Sequence, residues 1–170
     1  PREPEGLTLR PSAVTQEPVS VSDAEKFLRV TGSQAVLLDS LVTSVRTEAE
    51  RLSHRLFTRR SVEATWDVFY QGVDLPRPPI DTVATVEARE DDAWVEVPAA
   101  DYERRGRRLQ VAGHNAGEPL RVTYTAGYED LPADLRHQML KDVRHAYDHR
   151  DPTMGEVVQD PDVYAQYRPY

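Results

Sequence analysis

The chain has 170 residues and a net charge of −8, from 21 basic and 29 acidic side chains, and this acidic balance argues against phosphate neutralisation as the main source of its affinity for a partner. It has no cysteine, which excludes disulfides, thiolate zinc sites and thiol nucleophiles. No apolar run approaches the roughly 18 residues that a membrane span needs, and residues 1–16 lack the apolar core of a signal peptide, so we expect a soluble protein that folds in the cytoplasm.

The first part of the chain is an arm followed by two helices. Residues 1–19 are polar and punctuated by prolines, which predicts an arm that is extended or partly disordered. Ser22 and Glu25 have the spacing of a capping box, which predicts a short helix over residues 22–29. Apolar side chains then recur at steps of three and four, which predicts a long amphipathic helix over residues 34–57. Its apolar face contains Leu38, Leu41, Val42, Val45, Ala49, Leu52 and Leu56.

The middle of the chain, residues 61–126, has the period of two that is typical of half-buried strands. We predict an antiparallel β-meander there, with an acidic turn at residues 90–92 and a second turn at residues 105–106. Proline restrains residues 75–80 to an extended strand entry. The side chains expected to point inward are Val62, Ala64, Trp66, Val68, Tyr70, Trp94, Leu109, Val111, Leu120, Val122 and Tyr124.

A third helix and a tail complete the chain. Pro132 and Asp134 are start signals, and the apolar spacing beyond them predicts a helix over residues 132–150. The predicted fold class is therefore α+β: a helical part made of the short, long and C-terminal helices, an inserted antiparallel β-meander, and extended terminal arms. Residues 20–150 form the predicted domain, between an arm at 1–19 and a tail at 151–170.

The tail is the segment that a self-contained fold explains least. A frayed terminus is the ordinary interpretation. Tyrosine is enriched in contacts between proteins and scarce in disordered chain, so we expect the tail to order on a partner, by strand addition for example. The candidate contact residues are Asp160, Asp162, Tyr164, Tyr167 and Tyr170.

Two charged features also have both an ordinary and a functional interpretation. The polar face of the long helix carries Glu48 and four further charges, and such a stripe is most often solvent-facing. A cluster of arginines around Gly106 is either a solvated hairpin tip or a contact that meets the acidic face of a neighbouring subunit. These residues are Arg46, Glu50, Arg51 and Arg55 on the helix, and Arg104, Arg105, Arg107 and Arg108 on the hairpin.

Candidate chemistry is sparse. His145 and His149 have the spacing of two metal ligands, but residue 146 is alanine where a metalloprotease needs glutamate, so helix-surface or subunit-contact histidines are the favoured interpretation. Trp66 and Trp94 suggest a sugar-binding face, yet both lie at alternating strand positions, which favours the core. No catalytic pairing or phosphate loop stands out, so we expect no enzyme, no cofactor and no metal.

The order and spacing of several segments resemble the head-to-tail connector (adaptor) proteins of long-tailed phages and phage-derived gene transfer agents. The resemblance covers residues 18–150. It consists of the segment 18–29, the long helix, Leu75-Pro-Arg-Pro-Pro-Ile80 followed by Val83, the stretch 94–102, Val122-Thr-Tyr-Thr-Ala-Gly-Tyr128, and the helix that begins near Leu131.

The resemblance implies a virion structural protein at the junction of capsid and tail, assembled in the host cytoplasm. Such proteins form a ring, usually of twelve copies, under the portal protein; the ring extends the DNA channel and docks the stopper or tail protein. It implies no catalytic residues, and DNA is only transiting cargo. The tail would then be a portal-binding arm, and the charged side of the long helix one inter-subunit face.

Other functions stay open at this point. Within the same class, the chain fits a stopper or tail-completion subunit. From other classes, it fits a carbohydrate-binding module or a hydrolase that uses His145 and His149. The free subunit is expected to be either a ring or a monomer that assembles on its partner.

Overall fold

A computed structural model describes residues 6–32, 34–70, 72–113, 117–149 and 160–169. They form two compact units: a sheet unit from the described residues within Pro1–Ala13 and Arg59–Gly127, and a helical unit from those within Val14–Thr58 and Tyr128–Pro169. The predicted α+β class is confirmed. The two units divide the chain differently from the predicted boundaries at residues 19 and 150. None of the described helices is long and apolar enough to cross a membrane.

The sheet unit contains two antiparallel sheets. Their strands are β1 (Leu7–Pro11), β2 (Arg60–Trp66), β3 (Gly72–Asp74), β4 (Ile80–Glu90), β5 (Ala93–Glu96), β6 (Tyr102–Arg105), β7 (Arg108–Val111) and β8 (Leu120–Ala126). The five-stranded sheet has the order β1-β2-β8-β4-β5, and the three-stranded sheet has the order β3-β7-β6. The prediction of a single β-meander is therefore wrong, because β8 lies between β2 and β4, and because β3, β7 and β6 form a separate sheet. A single turn of 3₁₀ helix, Ala99–Asp101, precedes β6.

The central strand β8 shows why this sequence forms a sheet. Its side chains alternate strictly, with Leu120, Val122 and Tyr124 fully buried on one face. Val122 lies opposite Ala64 of β2 on one side and opposite Val86 of β4 on the other, and both of these partners are buried. The Tyr124 hydroxyl satisfies its buried hydrogen-bonding capacity by donating to the Pro76 carbonyl at 2.8 Å. The inward positions predicted for Leu109 and Val111 on β7 are likewise confirmed.

The helical unit packs four helices around one apolar core: α1 (Val21–Leu28), α2 (Ala35–Ser53), α3 (Ala133–Asp148) and α4 (Pro161–Ala165). Helices α2 and α3 supply most of that core through side chains three and four residues apart, as their spacing predicts. Phe57 and Tyr164, which do not belong to these two helices, are buried in the same core. The buried residues of α2 and α3 in this cluster are Leu38, Val42, Val45, Ala49, Leu135, Met139, Val143 and Tyr147.

Several local predictions are wrong in detail. The capping box uses Ser20 and Asp23, not Ser22 and Glu25: the Ser20 hydroxyl accepts from the Asp23 amide at 3.0 Å and donates to the Asp23 carboxylate at 2.8 Å. Helix α2 ends at Ser53, because His54 adopts a left-handed conformation with φ of 54°.

Strand β2 also ends earlier than predicted, at Trp66. Beyond it Phe69 is buried, whereas Val68 and Tyr70, expected inward, are 49% and 67% exposed. The period of two therefore fails as soon as the strand pairing stops. Trp94 is only half-buried, because β5 is a short edge strand.

Both predicted arms contain regular structure. Within the first arm, residues 7–11 are extended, as expected, but they pair with β2 as an edge strand, with Leu9 opposite Ala64. Val19 at the end of this arm is fully buried in the helical core. The tail contains helix α4, which the sequence interpretation did not anticipate. Most of the remaining arm and tail positions, residues 1–5, 151–159 and 170, lie outside the described residues.

Candidate contact surfaces

The charged face of α2 is partly internal, which corrects the prediction of a solvated stripe. The Arg46 side chain is 9% exposed and lies between two carboxylates, with Nε 2.7 Å from Glu17 and Nη1 3.1 Å from Glu50. Glu50 also accepts the Phe57 backbone amide at 2.8 Å. A buried charge is tolerated when it is paired and hydrogen-bonded in this way. Arg46 and Glu50 therefore hold the segments before and after α2 and are not exposed to a partner.

Arg51 projects into solvent, whereas Arg55 is bonded to other parts of the helical unit. Arg51 is 67% exposed and forms a two-pronged pair with Glu48, at 2.5 and 2.7 Å, and this hydrogen bond lowers the pKa of the Glu48 carboxyl. Arg55 instead donates to the backbone carbonyl of Tyr167 and, at 3.3 Å, to the Tyr128 hydroxyl. Of the four charged residues that were predicted as contacts on the long helix, Arg51 is the one that projects into solvent.

The arginine hairpin forms at the predicted turn. β6 and β7 pair with Arg105 opposite Arg108, so the loop between them is Gly106-Arg107, and Gly106 has a positive φ of 60°. Arg104 donates to backbone carbonyls and Arg105 pairs with Glu103 at 2.9 Å. Arg107 and Arg108 lie 3.7 and 3.6 Å from one carboxylate, Asp74. These pairs are exposed, and such pairs contribute little to stability because solvent screens them.

The described end of the tail is docked on its own helical unit. Tyr164 is fully buried; its hydroxyl donates to Asp142 Oδ2 at 2.7 Å, and its ring centroid lies 6.0 Å from that of Phe57. Asp142 is fully buried too and accepts from the side-chain amide of Gln138 at 3.2 Å. The tyrosine is therefore a core residue here, not an exposed contact.

Residues near the end of the chain extend this docking. The Tyr167 hydroxyl donates to Asp134, and Arg168 Nε donates to the Leu52 carbonyl at 2.7 Å. The hydrogen bond from Tyr167 lowers the pKa of Asp134, and the same bond together with burial raises the pKa of Tyr167 to about 12. Burial, with the Asp142 carboxylate beside it, raises the pKa of Tyr164 further. Asp160 and Asp162 are exposed, and Tyr170 lies outside the described residues.

The residues behind the alternative chemistries are placed as follows. The rings of His145 and His149 lie against each other with centroids 4.3 Å apart, and within the described residues no group of three His, Cys, Asp or Glu side chains could hold a metal.

Trp66 is 5% exposed, as predicted for a core residue. Trp94 was expected in the core but lies partly exposed, with the Arg121 guanidinium 4.6 Å from its ring centroid. That guanidinium covers the face on which a sugar would stack.

Sequence reasoning missed Asp142 and Glu17 as the partners that order the tail and α2. A carboxylate at an apolar helix position, as Asp142 is between Met139 and Val143, is the one signal that could have indicated a buried partner.

Known structures share this fold along almost the whole chain, although no family model and no curated protein matches it. A chain from the neck of an empty gene transfer agent (GTA) particle, computed with C6 symmetry, is 16% identical and matches over 96% of both chains with a TM-score of 0.78. A chain from the virion of a native GTA particle is 17% identical over 95% of both chains, with a TM-score of 0.77. A third, from the neck of a native GTA particle computed with C12 symmetry, is 15% identical over 96% of both chains, with a TM-score of 0.68. At these identities the likeness shows a shared fold.

Proposed function

We propose that the chain is a head-to-tail connector (adaptor) of a phage or gene transfer agent particle. In this role it forms a ring under the portal, extends the DNA channel and docks the stopper or tail protein, as part of the virion at the capsid-tail junction. The observation that carries the proposal is the fold match along 95–96% of the chain to chains from GTA particles, two of them from necks with C6 and C12 symmetry. A fold shared from end to end supports a similar structural role more strongly than one shared over a fragment.

The charge of the chain is compatible with a DNA conduit. A net charge of −8 repels phosphates weakly, so DNA that slides past such a ring is not retained by it. The proposed role is structural and uses no catalytic residue, cofactor or metal. The proposed partners are further copies of the chain, the portal protein, and the stopper or tail protein.

The tail is a proposed portal contact only through its exposed residues. Asp160, which caps helix α4, and Asp162, in its first turn, are exposed, whereas Tyr164 is buried in the helical core. A portal protein that binds this segment in its docked position would contact the exposed carboxylates of Asp160 and Asp162. Equal protection of residues 160–169 from proteolysis in the free and the assembled protein would count against a portal contact there.

The experiment that tests the function is native mass spectrometry of the chain, alone and mixed with the portal protein of the same particle. We expect a closed ring on the portal, of twelve copies, with the free chain either monomeric or already a ring. A chain that stays monomeric and does not bind the portal would refute the adaptor role. Binding to a different neck protein, with no binding to the portal, would instead indicate a stopper or tail-completion subunit.

A further inference from the structure

Exposed apolar side chains are concentrated at one end of the sheet unit. Among the described residues, four large hydrophobic side chains are exposed, and three of them, Val68, Tyr70 and Val95, lie in the sheet unit. Val68 and Tyr70 follow the last residue of β2, and Val95 lies opposite Ala88 near the end of β4. The register places these strand ends together, because Leu120 of β8 is opposite both Trp66 and Ala88.

Several carboxylates lie at the same end of the sheet unit. The β4-β5 turn brings Glu90, Asp91 and Asp92 to the same end, and both turn aspartates have positive φ angles, of 44° and 66°, as a tight hairpin turn requires. The exposed cation beside them, Arg89, is 3.1 Å from Asp92. This end of the sheet unit is called the acidic tip; it contains Asp67, Val68, Tyr70, Glu90, Asp91, Asp92, Val95 and Glu96.

The loop of the arginine hairpin, residues 102–111, lies beside the start of β4. Arg104 donates to the Asp81 carbonyl at 3.0 Å, next to the first residue of β4, while the acidic β4-β5 turn follows the last. A strand rises about 3.3 Å per residue, so Arg104 and that turn are about 30 Å apart along β4. The base of the hairpin lies closer to the acidic tip, because Gln110 pairs with Gly72, two residues after Tyr70. The four guanidinium groups of the hairpin outnumber the carboxylates beside them, Glu103 and Asp74, so its loop forms a basic surface separate from the acidic turn.

We propose that the acidic tip of one copy binds the arginine hairpin of the next copy. The inference rests on the proposed ring and names one of its interfaces. Neighbours in a cyclic ring meet through two different surfaces, and one chain that carries both a basic and an acidic surface satisfies that requirement.

The composition of the tip also suits such a contact, since an interface combines an apolar centre with a charged rim. An exposed tyrosine ring is in addition a good surface for an arginine side chain. The internal pairs of the hairpin do not oppose this, because exposed pairs are weak and exchange partners at little cost. DNA is another polyanion that could bind the hairpin, but DNA does not offer exposed apolar side chains such as those at the centre of the acidic tip.

Because the chain has no cysteine, single cysteines provide a direct test. Val68→Cys labels the acidic tip and Arg105→Cys labels the hairpin. The two variants are mixed in equal amounts, assembled on the portal protein and treated with a short bis-maleimide crosslinker. We expect crosslinked dimers in the mixture and none with either variant alone, because the contact joins two different surfaces. A matched control, Val36→Cys, places a cysteine at an 84% exposed valine of the helical unit and should give no crosslink with Arg105→Cys.

Charge exchange gives an independent measurement. Asp67→Lys combined with Glu90→Lys and Glu96→Lys leaves two carboxylates against three lysines and Arg89, so both surfaces of that copy are basic. Arg104→Glu with Arg105→Glu makes both surfaces acidic. Each variant alone should form at least tenfold fewer rings on the portal than the unchanged chain, and mixing the two should restore ring formation, since basic and acidic copies then alternate.

The outcomes separate this interface from the proposed function. Rings that form on the portal without the Val68–Arg105 crosslink, or that both charge variants form as well as the unchanged chain, would refute this interface and leave the adaptor role intact. Crosslinks with Val68→Cys alone would refute it as well, because the tip would then meet another tip. Failure of the unchanged chain to bind the portal at all would refute the adaptor role itself. Hairpin crosslinks that are lost on digestion of DNA would mean that DNA occupies the hairpin.

Discussion

Tyr164 is the residue whose replacement tests most directly whether the tail is part of the fold. Tyr164→Phe keeps the ring in the core and removes only the hydroxyl that donates to Asp142 at 2.7 Å. Both side chains are fully buried, so water cannot replace the lost donor, although Gln138 still donates to the same carboxylate at 3.2 Å. The loss of a hydrogen bond to a buried charged group costs about 1.5–3 kcal/mol. Tyr164→Ala also removes the ring and should cost about 3–5 kcal/mol.

The assay is urea unfolding followed by far-ultraviolet circular dichroism, which reports mainly on the helical unit. With a denaturant slope of about 2 kcal/mol per molar, Tyr164→Phe should lower the midpoint by about 1 M. Tyr70→Phe is the matched control: it makes the same chemical change at a 67% exposed tyrosine and should alter stability by less than roughly 0.5 kcal/mol. Hydrogen exchange of residues 160–169, measured by mass spectrometry, locates the effect, because these amides should lose protection first.

One result would refute this reasoning. If Tyr164→Phe and the unchanged chain unfold at the same urea concentration, and residues 160–169 exchange equally fast in both, the tail is not held by the buried hydroxyl. The segment would then be free to order on another protein, as its tyrosines suggested from the sequence alone. A midpoint shift as large for Tyr70→Phe would mean that the measured loss is not specific to burial.

Two further predictions concern the charges of the helical unit. Arg46→Leu leaves the Glu17 carboxylate without its buried partner and should cost about 3–5 kcal/mol in urea unfolding. Arg51→Leu, at a 67% exposed side chain, should leave the urea midpoint almost unchanged, because solvent screens exposed pairs. Equal effects would show that the buried pairing is unimportant. The hydrogen bond to Asp134, together with burial, raises the pKa of Tyr167 to about 12, so the neutral form of Tyr167 favours the docked tail. This stabilisation is complete below the ordinary tyrosine pKa of about 10 and is lost as the pH rises toward 12. Hydrogen exchange, corrected for its intrinsic rate, should therefore show residues 160–169 losing protection between about pH 10 and about pH 12. Constant protection over that range would contradict the assigned bond.

Most of the strands and the two long helices could be predicted because their signals are local, whereas the order of the strands in two sheets could not. Strand β8 alternates without exception from Leu120 to Ala126, and Leu120, Val122 and Tyr124 each lie opposite an aliphatic or aromatic residue of β2. The α3 spacing from Leu135 to Tyr147 predicted its buried face correctly. In both elements the propensity of the segment and its burial agree, which is the condition under which sequence patterns are reliable.

The errors arise where a partner distant in the sequence decides the outcome. Arg46 was assigned to a solvated face because no residue of α2 indicates that Glu17 lies against it. Tyr164 was assigned to a partner-binding tail because its own partner, Asp142, lies 22 residues earlier. The same reason applies to the edge strand β1, whose polar, proline-containing sequence does not reveal its pairing with β2.

These corrections decide which residues remain candidates for assembly. A partner that took Tyr164 or Arg46 from its site would have to replace a hydrogen bond to a buried carboxylate, and an uncompensated one costs several kcal/mol. Such residues are therefore poor choices for contacts that a subunit makes and breaks on its way into a particle. The arginine hairpin and the acidic tip have no such cost, since their charges are exposed and their internal pairs weak. Repeated around the proposed ring, even a weak contact of that kind would produce stable assembly.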